Sequence, residues 1–328
     1  MNNFCTLFDS FYLSRGLAMY ESLKENFTNF HLYIFAFDNL SLKILSSLNL
    51  ENTTTISLNE FENQKLLNIK PTRTKAEYCW TCTSSTIDYV LNNYGVHYCT
   101  YIDSDLFFYH SPSPLLEELN DEKTVLISEH RYSWFAKVYE EKRAGRFCVQ
   151  FITFKNNAES RTVLTRWKNQ CFDWCFARYE DGKFGDQKYL DEWPLLYKNV
   201  KISENIGGGV APWNIGQYKI NREDGSLTGI EIKTGKCFDL IYYHFHYVRF
   251  MDNGNVDLGW NAIPNDSLKN LYIPYINTII KIERDLENSF SDYKTVYYST
   301  MTSGLKDYVK HLIKKITKYN LIKLDTLN

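Results

Sequence analysis

Short apolar runs alternate with segments of helical spacing through the first 60 residues of the chain. Phe4-Cys5-Thr6-Leu7-Phe8 reads as a buried strand and is followed by Asp9-Ser10. Apolar positions then recur at helical spacing from about Leu13 to Leu23. His31 to Phe37 is a second β-rich run, closed by Asp38-Asn39. Helical spacing returns over Leu42 to Leu48, and Thr54 to Leu58 reads as a third strand. Strand, helix, strand, helix, strand predicts βαβ units on a parallel sheet, an α/β architecture. Sheets of this kind take ligands at the carboxyl ends of their strands, near the switch in strand order. Phe8-Asp9, Asp38 and the end of the next central strand are therefore expected to lie together.

Further along, Arg73 to Asn92 is expected to be a helix, and Tyr98 to Ile102 a strand that runs into Asp103-Ser104-Asp105 and is continued by Leu106 to Tyr109. Val125 to Ile127 and Phe147 to Phe154 read as strands, and Arg161 to Phe176 as a Trp-rich helix. A polar loop, Gly185-Asp186-Gln187, leads into a helix through Leu190. Asn205 to Asn214 is a glycine-rich loop, and Leu240 to Phe250 a strand carrying two histidines. Without internal repeats or low-complexity linkers, the chain reads as one domain over 1–265 and a helical extension over 266–328.

Composition narrows the picture. At 44% apolar and 23% charged residues the chain is an ordinary globular sequence, and a net charge of −2 gives no basic field for nucleic acid. No signal peptide or run of about 18 apolar residues is visible, so a cytoplasmic protein is expected, with its 8 Cys as reduced thiols. Cys79-Trp80-Thr81-Cys82 has zinc-ligand spacing but lacks a convincing second pair, and reads as structural.

Asp103-Ser104-Asp105 is the sharpest chemical signal. Residues i and i+2 of a strand share a face, so on that reading the two carboxylates point the same way, roughly 7 Å apart or less. Burying such a pair is costly unless a hard divalent cation, Mg²⁺ or Mn²⁺, sits between them. The plain alternative is a solvated strand end. In Tyr242-Tyr243-His244-Phe245-His246-Tyr247 the two imidazoles likewise share a face and suit Mn²⁺; the alternative is an aromatic structural strand. Asp186 and Gln187 can serve chemistry or merely cap the helix that follows.

Thr6-Leu7-Phe8-Asp9-Ser10-Phe11-Tyr12-Leu13 with Ser22-Leu23, Tyr101 to Leu106, Asp186-Gln187 and His244-Phe245-His246 occur in an order that resembles bacterial glycosyltransferases of the GT-A fold, close to the family 8 and family 77 retaining group. The resemblance covers about residues 4 to 250. It implies a Rossmann-like, mixed but mainly parallel sheet flanked by helices. It also implies a UDP-sugar donor, a Mn²⁺ or Mg²⁺ ion, and transfer to a glycan or glycolipid hydroxyl of the surface polysaccharide or lipooligosaccharide type, either retaining, as in that group, or inverting with Asp186 as general base. Carried over by position, Asp103 and Asp105 hold the metal together with His244, and Ser104 and His246 join them at the donor. Thr6, Asp9 and Tyr12 fall at the nucleotide and Arg73 at the diphosphate or sugar, while Asn214, after Pro212-Trp213, either lines the acceptor side of the cleft or belongs to a glycine-rich turn. Asp186 and Gln187 fall at the reacting sugar. Three positions depart from the family. Tyr247 replaces a Gly after the late His, Arg249 stands near a missing Lys-Pro-Trp, and Cys148-Val149-Gln150 occupies a common Asn-x-Gly.

Two other readings stay open. A sugar nucleotidyltransferase shares the sheet type but needs a glycine-rich basic loop near its start, which residues 4–25 lack. A catalytically silent nucleotide-sugar-binding protein would keep the fold without turnover. In the extension, Leu305, Tyr308, Val309, Leu312, Ile313, Ile316 and Tyr319 predict an amphipathic helix over about 304–324, with Lys306, Lys310, Lys314, Lys315, Lys318 and Lys323 elsewhere. That helix is expected either to pack on the domain or to contact an anionic membrane from the cytoplasmic side.

Overall fold

Phe4 and Phe8 point into one core with Leu13, Leu17 and Leu32, while Cys5 and Leu7 point into another with Tyr33, Phe35 and Ile87. A strand buried on both faces belongs inside a sheet that helices cover on both sides. In the computed structural model, which describes residues 1–223, 225–300, 314, 316, 317 and 319–326, that strand is β1 (Asn2–Phe8). It is followed by α1 (Leu13–Asn26), β2 (Phe30–Ala36), α2 (Asn39–Leu48), β3 (Thr53–Ser57), α3 (Lys75–Asn93), β4 (Tyr98–Ile102) and β5 (Leu106–Phe108). Then come β6 (Val125–Glu129), α4 (Trp134–Ala144), β7 (Phe147–Lys155), α5 (Ala158–Asp173), β8 (Val200–Ile202) and β9 (Gly208–Val210). A small antiparallel sheet of β10 (Tyr218–Glu223), β11 (Ser226–Glu231) and β12 (Cys237–Asp239) precedes β13 (Tyr242–His244), β14 (Arg249–Phe250), β15 (Asn255–Asp257), α6 (Ile273–Ser289) and β16 (Leu321–Lys323). Shorter helical turns carry no label.

The main sheet has seven strands in the order β3-β2-β1-β4-β7-β6-β8. β1 pairs in parallel with both β2 and β4, β2 with β3, and β6 with β8; β7 runs antiparallel to β4 and β6. This is the expected mixed, mainly parallel sheet flanked by helices. The strand order switches between β1 and β4, so the carboxyl ends of Phe8 and Ile102 lie side by side. Local chemistry fixes the elements around that switch. Asp38 caps α2 by accepting from Ser41 N at 2.7 Å, and it also accepts from Ser10 N at 2.9 Å, tying the end of β1 to that of β2. Thr74 and Glu77 form a capping box that starts α3. Gly16 lets α1 lie directly on β1, since a Cβ there would come 2.4 Å from the Phe8 ring.

Two expectations are corrected. Leu106 to Tyr109 does not prolong β4. The chain turns at Asp103, whose carbonyl accepts from Leu106 N at 3.2 Å, and β5 joins a separate sheet against β13, which also pairs with β9 inside the glycine-rich loop. The run from Leu240 to Phe250 is likewise broken: β13 ends at His244, Tyr247 adopts φ +66°, and β14 begins at Arg249. Both breaks bend chemistry-bearing side chains off the strands and into the space above the switch.

Past residue 265 the chain continues into these cores. α6 packs on α1, the Tyr275 ring stacks on Phe245 at 3.7 Å, and Leu286 and Tyr293 join the core of α1. Most of the helix expected over 304–324 lies outside the described residues. At two described positions of that segment the expected pattern is reversed, while Lys323 is exposed as expected. Lys314 is buried, paired with Asp257 and donating to Gly259 O at 2.7 Å, whereas Ile316 is exposed. Residues 321–323 form β16 against β15. Among the described residues no helix is long and apolar enough to cross a membrane.

Candidate functional site

A cavity of about 1200 Å³ opens over the carboxyl ends of β1 and β4. The two breaks just described aim their side chains into it. Asp103 is held by its N–H donating to Gln150 O at 3.0 Å, and the Asp105 carbonyl accepts from Phe245 N at 2.9 Å. The Asp-Ser-Asp turn is thereby clamped between β7 and the end of β13. His244 Nε2 lies 3.0 Å from Asp105 Oδ1 and 3.8 Å from Asp103 Oδ2. His246 stands behind it, with ring centroids 5.7 Å apart. One ligand atom each from Asp105, His244 and His246 lies within 4.8 Å of the others. The carboxylates converge as expected, but through a turn rather than along one strand face.

The electrostatics follow from crowding. Burial, then the neighbouring Asp105 charge, pushes the Asp103 carboxyl up to about 6, although His244 opposes this. Burial would raise Asp105 too, but the hydrogen-bonded His244 outweighs it and holds that carboxyl down at about 2. Burial disfavours the His244 imidazolium, yet Asp105 lifts it well above the ordinary histidine value. A proton on His244 thus sits among the carboxylates where a cation would. The Asp105 carboxylate and the two imidazoles, with Asp103 Oδ2 3.8 Å from His244 Nε2, form a donor set that fits a divalent metal ion.

Asp186, 6% exposed, faces the same cavity. Its backbone carbonyl accepts from Trp167 Nε1 at 2.8 Å, and burial, reinforced by Asp103, raises its carboxyl to about 7. Gln187 also lines the cavity and donates Nε2 to Ala144 O at 2.7 Å, at the end of α4. At the opposite end, Asp9 accepts from Phe11 N and Tyr12 N, and the Tyr12 ring lies under the Arg15 guanidinium at 4.9 Å. Ser104 lines the floor.

Two residues expected at the site lie outside the cavity, and a third lines it with its side-chain amide engaged elsewhere. Thr6 is fully buried within β1 and does not line the cavity, because it lies two residues short of the strand end on the covered face it shares with Phe4 and Phe8. Arg73 stacks on Phe176 at 3.9 Å and donates to Phe172 O at 3.4 Å, so it closes the end of α5. Asn214 borders the cavity, but its amide is spent on backbone, donating to His130 O and Gly209 O and accepting from Ala211 N.

Several cavity residues were not singled out as ligands: Lys75, Trp80, His130, Trp213 and, from beyond β15, Tyr298. Arg249, noted only as a departure, lies over Tyr247 at 3.9 Å and Tyr298 at 4.7 Å, with no carboxylate partner among the described residues. Its position explains the departure beside it. Tyr247 keeps, at φ +66°, the left-handed backbone that a glycine would take for free, and its ring carries Arg249. Trp80 and Lys75 share a face of α3 with Cys79, a periodicity the sequence displays, whereas Tyr298 carries no local signal.

No family model matches the chain. It is 29% identical over 297 residues to Uncharacterized protein YfnD of Bacillus subtilis (strain 168), covering 89% of this chain and 93% of that protein. It is 32% identical over 256 residues to Uncharacterized protein YfnF of the same organism, covering 76% of this chain and 82% of that one. Among solved structures it is similar to mouse xyloside xylosyltransferase 1 in its apo form, at 10% identity and a TM-score of 0.47, over 80% of this chain and 99% of that one. By its 32% identity to YfnF across most of both proteins, the chain belongs to the same family as YfnF of Bacillus subtilis.

Proposed function

We propose that this protein is a divalent-metal-dependent glycosyltransferase of the GT-A type, moving a sugar from a UDP-sugar to a hydroxyl of a glycan or glycolipid. The observation that carries the reading is the convergence of Asp103, Asp105, His244 and His246 beside Asp186 in one cavity at the strand-order switch.

Breaking the bond between the anomeric carbon and the diphosphate leaves negative charge on the departing phosphate oxygen. Asp103, Asp105 and His244 would hold the cation, with His246 at hand, and the ion when bound supplies Lewis-acid stabilisation of that charge. Arg249 faces the same region with its guanidinium fixed between two rings, a permanent positive charge with fork geometry suited to phosphate. Asp9 and Tyr12 receive the base on the other side of the switch. Asp186 and Gln187 border the space left for the reacting sugar. In its ionised form the Asp186 carboxylate stabilises positive charge developing at the anomeric carbon, and the Gln187 oxygen assists as a neutral acceptor. The acceptor hydroxyl attacks the anomeric carbon from the side on which the bond to the diphosphate breaks, gives its proton to the departing phosphate oxygen, and so retains the anomeric configuration.

A thermal-shift panel of UDP-, GDP- and CMP-sugars with and without Mn²⁺ tests this reading. Stabilisation should be largest for UDP-sugars and should require the metal. Equal stabilisation by every nucleotide, or none with Mn²⁺ present, would reject it.

A further inference from the structure

His244 directs Nε2 at Asp105, so its other ring nitrogen faces back into β7. There Nδ1 meets Gln150 Oε1 at 2.5 Å. Gln150 is 0% exposed, and its backbone carbonyl holds the Asp103 N–H, so one residue contacts both halves of the Asp/His group. Among the described residues its amide nitrogen has no hydrogen-bond partner, and it lies where a Cβ on Gly209 would come within 3.3 Å. Burying an unpaired amide N–H is costly. A residue kept at this point for packing alone would be Leu or Met.

An amide oxygen can only accept, so the Gln150 contact places the proton on His244 Nδ1 and leaves the Nε2 lone pair for a ligand once the second proton has gone. The reversed amide would put a donor against Nδ1 and force the proton onto Nε2, closing the face that looks at Asp105. The Cys148 thiol also faces the imidazole, but a thiol is a weak partner and sets no tautomer.

We propose that Gln150 is a positioning residue for the metal centre, fixing the tautomer and ring plane of His244 and thereby setting the affinity of the Asp103–Asp105–His244 group for a divalent cation. This rests on the metal reading of the site. Partners that orient a ligating histidine are typically worth about 10- to 100-fold in metal affinity.

The test is Mn²⁺ binding, followed by electron paramagnetic resonance of the free ion in the presence of UDP, for wild type, Gln150→Leu, Gln150→Glu and Cys148→Ala. Gln150→Leu should lose about 10- to 100-fold in Mn²⁺ affinity, while its melting temperature stays level or rises because the unpaired amide is gone. Gln150→Glu retains an acceptor and should bind near wild type, as should Cys148→Ala. A residue with only a structural role would give the opposite pair of results, lower stability with unchanged affinity. Wild-type affinity in folded Gln150→Leu overturns the assignment to Gln150 alone. Failure of both Gln150→Leu and Gln150→Met to fold also overturns it, by making the residue structural. Absence of Mn²⁺ binding to the wild type is a different result: it rejects the metal reading, and this role with it.

Discussion

Gln187 donates its side-chain amide to the carbonyl of Ala144 at 2.7 Å, joining the loop that carries Asp186 to the last turn of α4. Lys188 makes a parallel tie to Glu141 O at 2.6 Å. The first satisfies a carbonyl that the helix end leaves open, the second joins Gly145 N–H on the Glu141 carbonyl, and of the two residues only Gln187 also borders the cavity among the reacting groups. Gln187→Ala should therefore cost roughly 1 kcal/mol of stability and also lower kcat by more than about 10-fold, equivalent to 1.4 kcal/mol. Lys188→Ala should affect stability without a comparable loss of kcat. Equal effects of the two variants on kcat would reduce Gln187 to a tether.

His244 and His246 are distinguished by depth. His244 is buried against Asp105, whereas His246 stands at the rim. His244→Ala should abolish Mn²⁺-dependent turnover and His246→Ala should weaken it. Because a proton occupies His244 in the metal-free site, Mn²⁺ binding must release it. His244 lies well above the ordinary value, so apparent affinity should rise with pH through and beyond neutrality. Calorimetry in buffers of different ionisation enthalpy measures the proton released. No proton release, or a greater loss from His246→Ala, would reassign the ligand.

Asp186 carries a pH signature of its own. Its carboxyl titrates at about 7 in the fold, against 3.8 ordinarily. Between those values the unfolded chain has lost the proton and the folded one keeps it, so this group makes the protein less stable as pH rises from about 4 to about 7. Asn cannot ionise, so the unfolded Asp186→Asn chain gains nothing by losing a proton, and the metal-free variant should overtake wild type across that window, by an amount on the order of 1–3 kcal/mol. Activity should run the other way: kcat rises toward neutral pH in wild type as Asp186 ionises, and Asp186→Asn is nearly inactive. Urea denaturation at pH 4.5 and 7.5 checks the first statement, and a pH–rate profile the second.

Much of this arrangement is legible in the residues. The runs around Phe4, His31 and Tyr98 are apolar on both faces, which specifies interior strands, and the strand-order switch then brings Asp9, Asp38 and Asp103 together. What the sequence concealed was where strands end. Leu106-Phe107-Phe108 is as β-prone as Tyr98 to Ile102, so nothing local says that the chain turns at Asp103 and changes sheet. Tyr247 hides its left-handed backbone in the same way, because that conformation is fixed by the packing of Arg249 and Gly259 rather than by its own preference. The place of Arg73 is hidden for a related reason. A basic residue at a helix start has no local mark that separates a ligand from a cation stacked on Phe176. Tyr298 reaches the cavity only through the pairing of its segment with Phe250 and Asp252, which is long-range.

Arg249 offers a test of the anion side of the cavity. Its guanidinium is already ordered between Tyr247 and Tyr298, so little freedom is lost when a phosphate binds. Arg249→Lys keeps the charge but loses the stacked fork, and should weaken UDP binding by about 10-fold, or 1.4 kcal/mol. Arg249→Met should weaken it further, while uridine binding stays unchanged in both. Parallel losses for UDP and uridine would place Arg249 away from the diphosphate.

The central claim is that the Asp103–Asp105–His244 group makes this fold a metal-dependent sugar transferase. The most direct measurement is UDP release from a panel of UDP-sugars, with and without added saccharide acceptors, by wild type in Mn²⁺, wild type in excess EDTA, and Asp105→Asn in Mn²⁺. The account predicts release from at least one UDP-sugar only in the first condition, and a loss of at least about 100-fold, near 3 kcal/mol, in the other two. Undiminished release in EDTA, or from a folded Asp105→Asn protein, would contradict it.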